Sequence, residues 1–388
     1  MKNKCENRGT KPTLLIVNDN MNVGGIQKSL LNLLNAIHEK YDISLLLLNP
    51  NGKYMDEIPS SVHLIYANKL LMIFGASKEE LKTKPLLYVW KGICKLLVRI
   101  TNKETLLKIL FLFQKKISGF DQVISFTHPA IDGELRACSA EFVLSAVKAP
   151  QKICYLHCDY GASHMRDSYT DKVLCQFKRI ACCSNSVKKQ LITQLPELES
   201  KAFTVRNFYD LSIEVKKVMT KKTNFDSNKI NLVSIARLSG EKGIARVVDI
   251  LGRINRQDIN YYILGDGPQR EKISRLIRSY EAQERIFILG EILNPYPYLN
   301  DADYLLVPSY HGAAPMVFDE ANIVGTSIIT TNTLSAREMV TDKDSIVCEN
   351  TDNAIKDALM HLVKPTKGIR AVNNNSTQIH QFEHLLQI

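Results

Sequence analysis

The sequence has no hydrophobic run long enough to cross a bilayer. Its longest apolar stretches are short and interrupted by lysines, whereas a membrane-spanning helix needs about 20 apolar residues. The first eleven residues are polar and lack the apolar segment of a secretory signal peptide. We therefore expect a protein of the cytoplasm.

Cysteine frameworks and the dinucleotide fingerprint are also missing. The nine cysteines are an odd number and contain no Cys-x-x-Cys pair, which favours thiols over disulfides or a zinc site. No Gly-x-Gly-x-x-Gly follows the first apolar run, which argues against a nicotinamide-dependent oxidoreductase. What remains is a chain of 388 residues with 45% hydrophobic and 23% charged residues, suited to two soluble α/β domains.

The positive charge is confined to the first half of the chain. Residues 1–210 contain 29 Lys and Arg against 19 Asp and Glu, whereas residues 211–388 contain 21 of each. A basic half indicates an anionic partner, either a membrane surface, a phosphate-bearing acceptor or nucleic acid. Nucleic acid is disfavoured because the aromatic residues lie within apolar faces and form no stacking platform.

Short apolar runs alternate with amphipathic segments along the whole chain. The first run, at 13–17, shows no polar alternation, which is typical of a parallel strand buried on both faces. A polar stretch at 207–227 separates this series from a second one that begins at residue 231. The pattern predicts two doubly wound, Rossmann-like domains facing each other across a cleft, at 1–210 and 211–370. Residues 371–388 are expected to form a tail or helix that can pack on the first domain.

A basic segment at about 79–118 interrupts the first series. Between Lys82 and Lys116 there are nine basic residues and one acidic residue, interleaved with leucine and aromatic residues. Lys91, Lys95 and Arg99 share one helical face. This pattern is typical of an interfacial helix pair whose lysines meet anionic headgroups at the inner face of a membrane. The alternative is a helical hairpin packed on the sheet with a solvated basic face.

Three strand-to-helix turns carry residues suited to phosphate binding. Gly24 and Gly25 follow the first strand and precede a helix, whose N-terminus favours anions. Arg237 and Lys242 bracket the turn after the strand at 231–235, where two cations suit a diphosphate leaving group. Gly267 lies in a Gly-Asp-Gly-Pro turn, which by itself is more often a structural turn than a ligand site.

The segment from Ser309 to Ala321 follows another strand and opens another helix. Backbone N–H groups from Ala314 to Val317, which include Met316 and flank Pro315, are expected to point into the cleft at the helix N-terminus. Glu320 lies about one turn into that helix, where a carboxylate can accept both hydroxyls of a ribose. The alternative role of Glu320 is to complement the helix dipole.

Together these segments, in this order, resemble the retaining GT-B glycosyltransferases of the group 1 type, family 4. By that resemblance Arg237 and Lys242 would bind the donor diphosphate, and Glu320, the second Glu of a Glu-x7-Glu pattern, would hold the ribose. Gly24 and Gly25 would lie beside the donor phosphates or the acceptor. His157 resembles a histidine that faces the donor sugar, although a turn residue at a strand end is the alternative.

The resemblance also implies which domain binds which substrate. The first domain would bind a lipid-linked or saccharide acceptor, and the second would bind the nucleotide sugar, with UDP as the favoured nucleotide. Such enzymes need no bound metal, because the Arg and Lys pair and the helix N-termini neutralise the diphosphate. No cofactor is expected beyond the nucleotide-sugar co-substrate, and the implied process is surface-polysaccharide biosynthesis.

One position departs from the family pattern. Gly312 stands eight residues before Glu320, where the pattern has its first Glu, and Pro315 keeps its expected place. In relatives that Glu reaches the donor sugar, so its loss removes one or two charge-assisted hydrogen bonds of about 1.5–3 kcal/mol each. The alternatives are a working transferase of reduced activity and a family member that only binds nucleotide sugar or acts as a scaffold.

Overall fold

The computed structural model describes residues 11–161, 166–209, 223–366 and 375–387. The chain divides into two compact units. The first consists of the residues up to Tyr209 together with those from Asn375 onwards, and the second of the residues between them. Most of the polar stretch predicted to join two domains, residues 210–222, lies outside the described residues.

The first unit contains a seven-stranded sheet in which every strand pair is parallel. The strand order is β3-β2-β1-β4-β5-β6-β7. The strands are β1 (Thr13–Asn18), β2 (Asp42–Leu47), β3 (His63–Tyr66), β4 (Gln122–Ser125), β5 (Gln151–Leu156), β6 (Arg179–Cys182) and β7 (Ala202–Thr204). The chain reverses its direction of winding between β1 and β4, and ligands of doubly wound sheets bind at such a point.

Among the described residues, seven α-helices lie between the strands of this sheet in sequence. They are α1 (Gly25–Ile37), α2 (Lys78–Thr83), α3 (Pro85–Ile100), α4 (Lys103–Leu112), α5 (Ser139–Ala146), α6 (Ser168–Cys175) and α7 (Asn185–Gln194). The core lies between the sheet and the apolar faces of the helices, as expected when a helix must bury one face.

Helices α2, α3 and α4 form the basic segment between β3 and β4. The prediction that three basic residues share one solvated face of α3 is wrong for Lys91. Lys95 and Arg99 are exposed, but Lys91 is half-buried and its Nζ donates to the Ile73 carbonyl at 2.9 Å. The exposed side of α3 instead carries apolar residues, including Leu96 and Ile100. Helical spacing alone gives the faces of a helix, whereas tertiary contacts decide which face is covered.

The second unit contains a six-stranded parallel sheet in the order β10-β9-β8-β11-β12-β13. The strands are β8 (Ile230–Ile235), β9 (Ile259–Leu264), β10 (Ile286–Gly290), β11 (Tyr304–Val307), β12 (Ser327–Thr331) and β13 (Ile346–Cys348). The helices are α8 (Ile244–Arg253), α9 (Arg270–Ser279), α10 (Tyr296–Asp301), α11 (Met316–Val324), α12 (Ala336–Met339) and α13 (Asp352–Met360). The predicted fold class, two doubly wound parallel α/β sheets, is confirmed.

The last helix, α14 (Ser376–Leu386), packs on the first unit. Phe382 is fully buried and lies edge-on to the rings of Tyr41 and Phe208, with ring centroids 6.2 and 6.1 Å away. Glu383 accepts from Lys40 Nζ at 2.8 Å. The C-terminal segment therefore completes the core of the first unit with an aromatic anchor.

Candidate functional site

In the second unit, the turn after β8 presents both predicted cations. Arg237 is exposed, and Lys242 is half-buried at the end of a 3₁₀ turn, Gly240–Lys242. Burial lowers the pKa of Lys242. Gly243 then adopts a left-handed conformation with φ of 68°, and a Cβ there would lie 2.0 Å from the Pro308 carbonyl oxygen. Only glycine permits this approach, which brings the turn after β8 against the turn after β11.

A buried arginine fixes these two turns together. The Arg246 guanidinium donates to the Pro308 carbonyl at 2.6 Å and to the Asn350 side-chain oxygen at 2.8 Å. It also stacks on the Tyr310 ring at 3.9 Å, and the Tyr310 N–H donates to the Glu241 carbonyl at 2.9 Å. Lys242 is thus carried on a turn that neighbouring loops hold in place. Sequence reasoning missed Arg246, because nothing in the pattern of α8 distinguishes it from a surface arginine.

Gly267 supports the same turn from the other side. A Cβ at Gly267 would lie 2.6 Å from the Leu238 carbonyl oxygen. The Leu238 N–H donates to the Asp266 carbonyl at 2.9 Å, and the Gln269 N–H donates back to the Leu238 carbonyl at 2.8 Å. The Gly-Asp-Gly-Pro turn is therefore packed on the backbone next to Arg237, whatever contact Gly267 also makes with a ligand.

Helix α11 begins after the turn that follows β11, with Pro315 as its N-cap. The first intrahelical N–H bonds run from Phe318 onwards, so the N–H groups of Met316 and Val317 lie at the open end of the helix. Glu320 is buried, with 7% of its surface exposed. Gly312 lies beside the helix start, and a Cβ placed there would meet only Pro315 Cγ, at 3.7 Å. The site has room for a side chain at this position.

In the first unit, Gly24 and Gly25 lie at the start of α1, beyond the carboxyl end of β1. Gly24 is extended, with φ of 176°, and its nearest neighbour for an added Cβ is the Gln27 side-chain oxygen at 2.7 Å. That oxygen ends a flexible side chain. Neither backbone conformation nor a rigid neighbour therefore requires glycine here.

His157 follows β5, and a second histidine that sequence reasoning missed, His128, follows the adjacent strand β4. Burial, and then the neighbouring His128, lower the pKa of His157 to about 3. Burial, and then Arg136, lower the pKa of His128 to about 4. His157 Nε2 and His128 Nδ1 are buried without a hydrogen-bond partner in the part of the chain that the structure describes. The other ring nitrogen of His157 bonds to the Phe126 carbonyl, so Nε2 of the neutral ring is left as an acceptor.

Asp19, at the end of β1, is a third buried group that the sequence analysis did not include. Its carboxylate accepts from the Cys138 N–H at 3.1 Å, and burial raises its pKa to about 6. Nearby, Lys103 and Glu141 form a buried ion pair at 3.0 Å. The edge of this sheet is therefore lined by polar groups that are withdrawn from water.

The raised pKa of Asp19 predicts a pH dependence of folding. Below pH 3.8, the ordinary value, both folded and unfolded chains are protonated at this residue. Between pH 3.8 and about 6 the unfolded chain ionises at this residue while the folded chain stays protonated, so stability falls over this range, by about 3 kcal/mol in total, and is then constant at higher pH. We expect Asp19→Asn, which keeps a hydrogen-bond acceptor, to remove this loss and to stabilise the first unit above pH 7.

Urea unfolding between pH 4.5 and 8, followed by the fluorescence of Trp90, measures this effect, since Trp90 is the single tryptophan and lies in the first unit. Exposed Asp56, changed to Asn, is the matched control. Equal pH slopes for the wild type and Asp19→Asn would contradict the assignment.

The predicted site residues thus fall into two groups. Eight lie on the carboxyl edge of the second sheet: Arg237, Lys242, Gly267, Gly312, Pro315, Met316, Val317 and Glu320. Gly24, Gly25 and His157 lie on the carboxyl edge of the first sheet. Within the described ranges, no three His, Cys, Asp or Glu side chains are grouped in a way that could hold a metal ion.

Comparison with known proteins identifies the second unit. The family model described as glycosyl transferases group 1 matches residues 215–378. The GPI3 subunit of phosphatidylinositol N-acetylglucosaminyltransferase from Saccharomyces cerevisiae is 24% identical over 237 residues, which are 58% of this chain and 51% of the relative. A putative colanic acid biosynthesis glycosyltransferase, WcaL of Escherichia coli, is 26% identical over 163 residues, 38% of this chain and 40% of the relative. The chain thus spans about half the length of the curated relatives it matches, or less.

The fold of the whole chain matches solved structures. The crystal structure of Anabaena HepE in complex with UDP and glucose superposes with a TM-score of 0.64 and 14% identity, and covers 96% of this chain and 95% of HepE. At this identity the match establishes the fold alone. The second unit thus matches the glycosyl transferases of group 1, and the chain as a whole has the GT-B fold of its solved neighbours.

Proposed function

We propose that the protein is a retaining glycosyltransferase that moves a sugar from a nucleoside diphosphate donor to a lipid-linked or saccharide acceptor. The observation that carries this proposal is the arrangement of the second unit. There the turns after β8, β9 and β11 are bonded to one another and present two cations, a helix N-terminus and a buried carboxylate. Such a set suits a nucleoside diphosphate, with phosphates on the cations and N–H groups and a ribose on Glu320.

The chemical role of the cations follows from the leaving group. During transfer the bond from the anomeric carbon to the diphosphate oxygen breaks, a bond to the acceptor oxygen forms, and the acceptor proton leaves with the diphosphate. Negative charge develops on the departing phosphate, and Arg237 and Lys242 would stabilise it. Because Lys242 is half-buried, its charge is less screened by water than that of a surface lysine. We propose that this makes a bound metal unnecessary.

In the first unit, we assign acceptor binding and contact with the transferred sugar. His157 is neutral at any physiological pH, so it would accept a hydrogen bond from a sugar hydroxyl at Nε2 rather than act as a cation. Gly24 and Gly25 lie at the N-terminus of α1, which would favour an anionic group of the donor or the acceptor. We expect no nucleic-acid partner.

The acceptor and its place are proposed from the relatives and from the insertion. The yeast relative is named for a phosphatidylinositol acceptor and the Escherichia coli relative for colanic acid biosynthesis. Surface-polysaccharide assembly on a lipid carrier is consistent with both names and with the basic first half of this chain. We propose that the protein works in the cytoplasm, peripherally at the inner face of a membrane, through residues 79–118.

The first test is thermal stabilisation of the wild-type protein by nucleotides in calorimetry without added metal. We expect UDP to stabilise the protein more than GDP or ADP do, and a ligand at a hundred times its Kd adds about 2.7 kcal/mol. Selective stabilisation supports a donor site and identifies the base. If no nucleotide changes the unfolding temperature, the donor-binding proposal fails and a scaffold role becomes the better hypothesis.

A second candidate function rests on Gly312. Where the family pattern has a carboxylate, this site has an open position, which favours a transferase of low activity or a protein that only binds nucleotide sugar. Under that hypothesis a UDP-sugar stabilises the protein no more than UDP does, because the sugar gains no contact. A working transferase would show additional stabilisation by the sugar of its own donor.

A further inference from the structure

Helix α3 exposes an apolar stripe along its full length. Its members recur at helical spacing on one side and cover an arc of about 100°. The fractional exposure reaches 86% at Leu86 and 71% at Ile100. The stripe consists of Leu86, Val89, Ile93, Leu96, Leu97 and Ile100, all of them exposed large hydrophobic side chains. We call this set the α3 stripe.

Contacts outside the stripe fix which face of α3 is exposed. Trp90 Nε1 donates to the Leu70 carbonyl and Lys91 Nζ donates to the Ile73 carbonyl, both at 2.9 Å. Cys94 is fully buried on the same side. Rolling the helix to hide the stripe would break both hydrogen bonds and expose Cys94. The exposure of the stripe is therefore imposed by the fold.

Helix α4 holds this structure to the sheet and extends the apolar surface. Lys103, at its first residue, is fully buried, pairs with Glu141 and donates to the Ala130 carbonyl at 2.7 Å. At the other end, Leu112 and Phe113 are 80% and 59% exposed. The buried Lys103 thus fixes the hairpin of α3 and α4 to the sheet, while the apolar side chains on its outer side form an exposed hydrophobic surface.

The charges around the α3 stripe are positive. Lys95 and Arg99 are exposed on α3 next to the stripe, and within the described residues no ion pair is found for either of them. The only acid between residues 82 and 116, Glu104, is held by Lys108 and Lys172 at 2.8 Å each. An apolar stripe bordered by unopposed cations complements the acyl chains and anionic headgroups of a lipid monolayer.

We propose that the α3 stripe inserts into one leaflet of an anionic membrane, with α3 lying in the plane of the surface. A 16-residue helix is about 24 Å long, and within the described part of the chain no helix is long and apolar enough to cross a membrane. Aliphatic insertion supplies the anchoring, and Lys95 and Arg99 select anionic headgroups. This inference rests on the proposed function only for its biological use, a lipid-carried acceptor.

Flotation with vesicles of phosphatidylcholine, with or without 30% phosphatidylglycerol, tests the proposal on the full chain. We expect the wild type to bind the anionic vesicles, and Leu86→Glu with Ile93→Glu and Ile100→Glu to weaken binding by about tenfold or more. Leu293→Glu with Val363→Glu is the matched control, because both residues are exposed hydrophobics of the second unit. Emission of Trp90, on α3 itself, should be quenched by brominated lipid in the wild type alone.

Three results would overturn the proposal. The first is no vesicle binding by the wild type, and the second is equal binding by the triple variant. The third is that the wild type is a dimer and the triple variant a monomer, while neither binds lipid. The last result would make a second copy of the chain the occupant of the stripe. Stabilisation by UDP must be unchanged in the triple variant, which shows that it is folded. Lipid binding without any nucleotide stabilisation would leave the surface standing and remove the proposed function.

Discussion

Changing Lys242 to alanine is expected to lower kcat by about a hundredfold to a thousandfold, the usual effect of removing one group that stabilises developing negative charge. Lys242 is half-buried on a turn that Gly243 and Arg246 fix against the turn after β11. By our proposal this preorganised cation would act on the departing diphosphate without reorganisation of water, so its loss should be felt mainly in the transition state. UDP release from the UDP-sugar that best stabilises the wild type measures the effect.

The control for this variant is Lys356→Ala, which removes an exposed lysine from α13 of the same unit. Lys242→Arg separates charge from shape, since it keeps the cation and should recover part of the rate. Both variants should unfold at the temperature of the wild type. A Lys242→Ala protein with unchanged kcat would show that Lys242 does not contact the leaving group.

The fold could be predicted from the sequence because parallel strands that are buried on both faces appear as short, uninterrupted apolar runs. The runs at 13–17 and 231–235 are apolar on both faces, and each became the central region of a parallel sheet, as β1 and β8. The turns with Arg237 and Gly267 were accessible for the same reason, since the carboxyl ends of neighbouring strands meet at one edge. The contacts between these two turns could not be predicted, because they are made by backbone carbonyl groups, which every residue type carries.

Residues that act through tertiary contacts could not be recognised in this way. Lys103 lies in a basic segment and resembles a surface lysine, yet it is fully buried against Glu141, 38 residues later in the chain. Lys91 turns inward and donates to the Ile73 carbonyl, a contact that helical spacing does not reveal. His128 is different, because it lies three residues after β4, beside the strand that precedes His157, and a search for histidines near every strand end would have found it.

Restoring a carboxylate at Gly312 tests whether this chain is a weakened enzyme. We expect Gly312→Glu to raise kcat/KM for the UDP-sugar by roughly 10- to 100-fold, as one charge-assisted hydrogen bond contributes about 1.5–3 kcal/mol. The structure permits the substitution, because a Cβ at Gly312 meets nothing closer than Pro315 Cγ at 3.7 Å. The folded state should therefore keep its stability, and a rate change would report on the chemistry.

Two further variants decide what the added group does. Gly312→Gln places an amide of the same length and should recover only a small part of the gain, because a neutral acceptor bonds a sugar hydroxyl more weakly than a carboxylate. Gly312→Ala should leave the rate near that of the wild type. If Gly312→Glu folds normally and gains nothing, the sugar does not approach this position, and Gly312 then marks a donor held differently from the family pattern. If the gain appears with Glu alone, the natural chain carries a complete nucleotide site from which one sugar contact has been removed.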